Sequence, residues 1–204
     1  MSVPAVRPVA PPTVAPLPAL RAATRTHHQR LDRLIDLRRL ADGRRYGRVL
    51  QGMEGFLGAW EGHVAAALPA PWHAWLRGRS RRPFLEQDLR ALGLSVRGPL
   101  GPMPELGSAA AAWGSIYVME GSALGGQVIT RSLAQAGLTP GRGGAYFHGW
   151  GPATGSMWHE ARRLLDEQLA DPARLTQACA GACATFDALA HHLELALHER
   201  PSPA

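Results

Sequence analysis

The sequence contains no lysine, so all of its positive charge comes from arginine. The 22 arginines outnumber the 16 acidic residues, which gives a formal net charge of +6 and a pI near 10.5. An arginine-only chain rich in alanine and glycine is consistent with a GC-rich genome. It is equally consistent with a basic site for anionic ligands, because the guanidinium fork suits carboxylate and phosphate groups. Both interpretations stay open at this point.

Cysteine and long apolar runs are also scarce. The two cysteines, Cys179 and Cys183, are too few for a disulfide scaffold and have no second pair with metal-ligand spacing, so both are expected to be small core residues. No apolar stretch reaches the roughly 18 residues of a transmembrane helix. The N-terminal prolines exclude the apolar helix of a signal peptide. These absences predict a soluble cytoplasmic monomer that binds neither membranes nor nucleic acid.

The 204 residues predict one domain with a tail at each end. Residues 1–19 contain six prolines, which break helices and remove hydrogen-bond donors, so this stretch is predicted to be disordered. Residues 20–198 are predicted to form the domain, and residues 199–204 a short C-terminal tail.

The hydrophobic pattern of the domain is helical almost throughout, which predicts an all-α fold. Residues 139–151 are rich in glycine and are predicted to be irregular. His191 and His192, near the end of the last helix, are expected to be solvated or stabilised by the helix dipole. The predicted helices cover residues 20–35, 44–68, 84–94, 105–136, 154–170 and 172–198.

Four glycines interrupt the most apolar of these helices. Gly114, Gly121, Gly125 and Gly126 fall within thirteen positions, and each costs about 0.5–1 kcal/mol relative to alanine. Tight helix packing explains one or two of them. Their number favours a second explanation, in which a flat, bulky ligand lies against the backbone of a kinked helix.

The first helix carries a complementary set of side chains. Helical periodicity places His27 slightly nearer the apolar face than His28. Arg21, Arg25 and His28, however, follow one another at i, i+4 and i+7 and form one stripe along the edge of that face. An imidazole with two guanidiniums beside it suits a metal centre whose ligand carries carboxylates. No HExxH or CxxC metal motif is present.

Three segments carry a resemblance to a known family. The segments LRAATRTHHQRLD (20–32), GSIYVMEGSALGGQVITR (114–131) and AYFHGWGPATGSMW (145–158) resemble the biliverdin-producing haem oxygenases, in particular the bacterial subgroup encoded with bacteriophytochromes. The resemblance extends from residue 20 to the late 190s. It implies a single-domain helical fold in which haem lies between a proximal helix and a kinked distal helix.

The resemblance also implies roles for individual residues. It selects His28 over His27 as the axial iron ligand, and it places Gly121 and Gly125 where the distal backbone approaches the haem. Phe186 matches a phenylalanine of the pocket. The side chains implied to hold the haem propionates are Arg21, Arg25, Arg131, Arg162 and Tyr117.

One position departs from the mammalian members, which have an aspartate directly after the first distal glycine. This chain has Ser122, as bacterial relatives commonly do. A serine can hydrogen-bond water but holds no negative charge at neutral pH. Proton delivery is therefore expected to use water held by backbone groups or by another residue.

The family activity makes haem both cofactor and substrate: haem is opened to biliverdin, with release of carbon monoxide and ferrous iron. The chain has no flavin or nicotinamide motif, so the electrons are expected from an external donor such as a ferredoxin. Biliverdin would supply a bacteriophytochrome or be a by-product of iron acquisition. The alternatives are a non-catalytic haem carrier or sensor and a thiaminase-like hydrolase, for which neither cysteine has an activating context.

Overall fold

The computed structural model describes residues 15–95 and 98–198, and within them it contains helices and no strand. This confirms the predicted all-α class. Most of the predicted N-terminal tail and the whole of the C-terminal tail, residues 199–204, lie outside the described residues. The α-helices are α1 (Pro16–Ile35), α2 (Gly43–Ala67), α3 (His73–Arg77), α4 (Arg82–Ala91), α5 (Ala109–Gln135), α6 (Ala145–His148), α7 (Thr154–Gln168) and α8 (Pro172–His198), with 3₁₀ turns at Ala70–Trp72 and Gly151–Ala153.

Helix α1 begins four residues earlier than predicted, so the boundary of the N-terminal tail at residue 19 is wrong. Pro16 and Pro18 lie in the first helical turn, where a backbone N–H has no intrahelical partner and proline is tolerated. Pro16 and Leu20 are both buried. The prolines therefore start the helix here rather than exclude it.

The predicted irregular segment, residues 139–151, contains the one-turn helix α6. Asp88 on α4 is fully buried, and its carboxylate accepts the backbone N–H groups of Ala145 and Tyr146 at 2.8 and 2.7 Å. Burial raises the pKa of this carboxyl, although the two N–H donors oppose that shift. The turn depends on an acidic residue 57 positions earlier, which local sequence patterns do not reveal.

Helix α8 supports both α1 and α5. Helices α5 and α8 approach until their backbones touch: a Cβ added at Gly114 would lie 1.8 Å from the carbonyl oxygen of Ala178, and one at Gly181 would lie 2.2 Å from that of Ala111. Glycine permits this distance because it has no side chain. Because α1 packs on the same helix, α1 and α5 are held as neighbours.

His192 on α8 is a core residue, which corrects the expectation of a solvated histidine. It is fully buried, its ring packs 5.6 Å from that of Phe56, and its Nε2 accepts the backbone N–H of Gly101 at 3.1 Å. Nδ1 therefore carries the proton and donates to the carbonyl of Ala188 at 2.9 Å. Burial lowers the pKa of this imidazole. His191, the preceding residue, is exposed.

Cys179 and Cys183 are partly buried on α8, and the Sγ of Cys183 lies 3.5 Å from the carbonyl oxygen of Ala23 on α1. Burial raises the pKa of both thiols, so neither is an activated nucleophile. The described residues contain no group of three or more potential metal ligands among histidine, cysteine, aspartate and glutamate. None of the described helices is long and apolar enough to span a membrane.

Candidate functional site

Two adjoining cavities lie between α1 and α5. The first, which we call the basic cavity, has a volume of about 440 Å³, and the second, the apolar cavity, has about 270 Å³. These volumes are in the range of small-molecule and cofactor sites. The two cavities form one cleft because they share five lining residues: His28, Leu31, Gly121, Ser122 and Leu189.

The basic cavity is lined by two guanidiniums and a phenol. Arg21 and Arg25 lie one turn apart on α1 and are exposed, and Tyr117 faces them from α5. Burial raises the pKa of the Tyr117 phenol, although a hydrogen bond with Thr24 and the charge of Arg21 oppose that shift. The phenol therefore stays protonated at neutral pH. This end of the cleft offers three donors to an anionic group.

The apolar cavity has mainly hydrocarbon walls and an exposed apolar mouth. Leu37 and Val128, both among its lining residues, are 41% and 55% exposed, which is unusual for large apolar side chains in this chain. Such exposure is typical of a rim that an apolar ligand covers. The other aliphatic and aromatic lining residues include Ile35, Met53, Ile129 and Phe147.

His28 lines both cavities, whereas His27 lines neither. The Nδ1 of His27 lies 2.9 Å from the Oδ1 of Asp187, on the α8 side of α1. The Nδ1 of His28 lies 3.0 Å from the Oδ2 of Asp32, one turn further along α1. A carboxylate on one ring nitrogen fixes the tautomer and leaves the other nitrogen free to bind a metal. Phe186 contacts the His28 ring edge-on at 5.7 Å between centroids.

The four glycines of α5 divide into two pairs. Gly114 packs against α8, and a Cβ added at Gly126 would lie 2.5 Å from the carbonyl oxygen of Phe147. Gly121 and Gly125 line the cleft instead; a Cβ at Gly125 would meet nothing within 4 Å, and one at Gly121 only the ring of Trp158, at 3.7 Å. Helix packing therefore accounts for Gly114 and Gly126, whereas Gly121 and Gly125 leave open space along the cleft.

Ser122 is held by two hydrogen bonds. Its hydroxyl donates to the carbonyl of Met119 at 2.8 Å and accepts a guanidinium N–H of Arg81 at 2.6 Å. A serine has one proton to donate, and here it is directed at the backbone. Ser122 therefore acts as an acceptor toward the cleft.

Two of the ten predicted site residues do not line the cleft. Arg131 and Arg162 are exposed on α5 and α7 and border neither cavity. Trp158 precedes Arg162 by one helical turn and does line the basic cavity, so Arg162 follows it on the same face of α7. The propionate contacts of Arg131 and Arg162 stay predictions.

Sequence reasoning missed Asp32, Arg81 and Trp158 as lining residues. Asp32 follows His28 at i+4, and this spacing was a readable signal for a histidine–carboxylate pair. Arg81 belongs to a cluster of arginines within residues 77–82, which lies between the predicted helices 44–68 and 84–94. Only the tertiary fold brings that cluster to α5.

No profile of a known protein family matches the chain. The chain is 36% identical, over 160 residues, to a haem oxygenase of Xanthomonas campestris pv. campestris. That alignment covers 78% of this chain and 88% of the relative. The chain belongs to the haem oxygenase family.

A solved haem oxygenase, that of Neisseria meningitidis with NO and CO bound, has the same fold. The TM-score is 0.72 at 18% sequence identity, and the match covers 93% of this chain and 96% of that one. The structure thus confirms the predicted haem oxygenase fold.

The cleft of this haem oxygenase has the donors and the shape that haem requires. Haem is flat and apolar, and it carries two carboxylates on one edge. Arg21 and Arg25 stand at one end of the cleft, apolar side chains at the other, and an imidazole between them. The missing Cβ atoms of Gly121 and Gly125 leave the α5 wall flush with its backbone.

Proposed function

We propose that this haem oxygenase opens haem to biliverdin and releases carbon monoxide and ferrous iron, using O₂ and electrons from an external donor. The observation that carries the proposal is the pairing of His28 with the Gly121–Gly125 backbone across one cleft. The imidazole would ligate a bound metal from one side. The glycine backbone on the other side would leave room for a small ligand.

The proximal side of the site is built on α1. His28 would ligate the iron through Nε2, because Asp32 lies at its Nδ1 and fixes that tautomer. Phe186 limits rotation of the imidazole by its edge-on contact. A neutral imidazole ligand gives the iron less electron density than a thiolate would.

The in-plane orientation of haem would be set by the polarity of the cleft. Charge-assisted hydrogen bonds from Arg21 and Arg25 would hold the propionates in the basic cavity, with the Tyr117 phenol as a further donor. The apolar cavity would hold the opposite edge of the ring. Arg131 and Arg162 remain candidates for additional propionate contacts from α5 and α7.

Haem, when bound, supplies the iron that binds O₂ and the ring that is oxidised. The chain would hold the haem in position and limit which groups can reach it. Gly121 and Gly125 admit the ring and a small ligand to the backbone of α5, and leucine-sized side chains there would close that space. Ser122, whose proton is directed at Met119, accepts a hydrogen bond from water but does not deliver its own proton.

The external donor would approach the basic edge of the cleft. Arg21 and Arg25 are exposed there, and the chain has a net charge of +6. An acidic protein such as a ferredoxin would be steered to this edge by complementary charge. The rate of electron transfer should then fall as ionic strength rises.

A spectroscopic titration tests the proposal. Haemin is added to the purified chain, and a Soret band at one-to-one stoichiometry establishes the site. Oxygen and a reductant are then supplied. An oxygenase loses its Soret band as biliverdin absorbance appears, whereas a carrier or sensor keeps the band and contradicts the proposal.

The fate of the product is a second part of the proposal. On the motif resemblance, we assign biliverdin to the assembly of a bacteriophytochrome. Co-expression of this chain with a bacteriophytochrome apoprotein should yield a photoactive holoprotein, and His28→Ala should not. Biliverdin that forms without such assembly would favour haem degradation for iron acquisition.

A further inference from the structure

Arg81 is a buried arginine whose hydrogen-bond partners, in the part of the chain that the structure describes, are all neutral. It is 6% exposed, and its Nη2 donates to the carbonyl of Met119 at 2.9 Å and to the Oγ of Ser122 at 2.6 Å. Its guanidinium lies 5.1 Å from the ring centroid of Tyr146. All of these acceptors are neutral, and no carboxylate within residues 15–95 and 98–198 forms an ion pair with it.

Arg79, two residues earlier, is a buried arginine with an ordinary structural role, because carboxylates neutralise its charge. It is 7% exposed, and it is paired with Glu120 at 2.6 Å and Glu160 at 2.7 Å. The charge of Arg81 also acts on Glu120. Burial raises the pKa of the Glu120 carboxyl, and the charges of Arg79 and Arg81 oppose that shift. The Glu120 carboxylate, however, is bonded to Arg79. A buried cation without a bonded anion is costly, so Arg81 needs a different explanation.

The location of Arg81 supplies that explanation. Arg81 lines the apolar cavity from the α5 side, together with Ser122 and Gly125, whereas His28 lines it from α1. Among the described residues that border this cavity, Arg81 is the only permanently charged cation. The hydrogen bonds of its guanidinium to Met119 and Ser122 both use Nη2, so Nη1 and Nε keep donor capacity.

We propose that Arg81 is a positioning residue whose charge stabilises negative charge on a small ligand bound in the apolar cavity, beside the α5 wall. This inference rests on the proposed haem site. The anion is a ligand of a few atoms that carries negative charge next to the Gly121–Gly125 backbone, and Ser122 holds the guanidinium at the wall of this cavity. A fixed cation at this position stabilises negative charge that develops on a distal ligand.

Azide is the anionic probe, and carbon monoxide, added after reduction, is the neutral one. In the ferric haem complex of Arg81→Met, the azide Kd should rise about tenfold to a hundredfold, as expected for loss of a charge-assisted hydrogen bond. The affinity for carbon monoxide should change less than threefold. Both are read from the Soret shift. Arg82→Met is the matched control, because Arg82 is 39% exposed, pairs with Glu86 and borders neither main cavity.

An unchanged azide Kd in a haem-loaded Arg81→Met protein overturns the inference. An equal loss of affinity for azide and carbon monoxide also overturns it, because that result indicates a merely structural role. Arg81→Lys should keep part of the azide affinity, because the charge remains although the fork is lost. If Arg81→Met does not fold, Ser122→Ala provides the same comparison, because it removes a hydrogen bond that holds the guanidinium. An unchanged ratio of the azide and carbon monoxide affinities in Ser122→Ala then overturns the inference. Failure of the unmutated chain to bind haem would instead contradict the proposed function.

Discussion

The two walls of the cleft use their residues in opposite ways. Helix α1 contributes side chains, since Arg21, Arg25 and His28 are exposed and all three line the cavities. Helix α5 contributes backbone, since Gly121 and Gly125 offer no side chain at all. Beside His28, a flat ligand would therefore meet side chains on the α1 wall and mainly backbone on the α5 wall, although α5 also presents the Tyr117 phenol to the basic cavity. Substitutions in α1 should therefore change binding and ligation, and those in α5 should change access.

The largest effect is expected at His28, the proposed iron ligand on α1. His28→Ala should abolish turnover and change the ferric haem spectrum, because the imidazole that lines both cavities is lost. Added imidazole should partly restore both. His27→Ala is the control, since His27 pairs with Asp187 away from the cleft. If His27→Ala abolishes turnover and His28→Ala does not, the assignment of the proximal ligand is wrong.

The second prediction compares two glycines of the same helix. Gly114→Ala should lower the free energy of unfolding by about 1–3 kcal/mol or more, because its Cβ would overlap the Ala178 carbonyl. Gly125→Ala should leave it unchanged or raise it by up to about 1 kcal/mol through helix propensity. Chemical denaturation measures both.

Gly125 also tests access to the site. Gly125→Leu should fold and bind haem but lose ring opening, because a branched side chain would occupy the space next to the α5 backbone. Retained turnover in Gly125→Leu would show that this part of α5 does not cover the iron.

The third prediction separates the arginines of the cleft from one outside it. Arg21→Glu and Arg25→Glu should each weaken haem binding roughly three- to tenfold, a modest loss because both groups are exposed and screened by water and salt. Arg162→Glu should weaken binding less but yield a mixture of biliverdin isomers, if its guanidinium steers the ring. Haem titration and chromatography of the products measure the two effects. A single isomer from Arg162→Glu would leave the shape of the cleft as the controlling factor.

The smallest effect concerns the scaffold behind both walls. His192 is buried and neutral, and its pKa is lowered from 6.5. The unfolded chain binds this proton more readily than the folded chain, so the free energy of unfolding should fall as the pH drops below about 6.5. His192→Gln should flatten that part of the pH profile of denaturation midpoints. An unchanged profile would assign the acid sensitivity to other groups.

Helical periodicity was sufficient to predict the long helices and the all-α class, because their apolar stripes are local in sequence. It failed where structure depends on distant partners. Helix α6 needs the Asp88 carboxylate as its N-terminal acceptor, and His192 is a core residue because Gly101 and Phe56 reach it. Pro16 and Pro18 were interpreted as helix breakers, although proline is compatible with a first turn.

The candidate site was predictable to the extent that its residues lie on two segments with strong local patterns. The stripe that ends at His28 and the glycines at 121 and 125 could be recognised in sequence. Gly114 and Gly126 were not distinguishable from them, because the difference lies in which backbone each one faces. Arg81 was missed for the same reason, since its cavity is assembled from helices that are distant in sequence, α1, α5 and α6 among them.

The glycine contacts of α5 restrict how the cleft can open. Gly114 fixes the helix against α8 at one point, and Gly126 fixes it against the Phe147 carbonyl at another. The segment that faces the cleft lies between these two points, so α5 cannot move sideways as a whole without breaking a backbone contact. Helix α1 instead meets α8 through side chains, such as that of Cys183, which can change rotamer. We therefore expect α5 to keep its position as a whole, so that any widening of the cleft is confined to α1 and to the α5 segment between the two contacts.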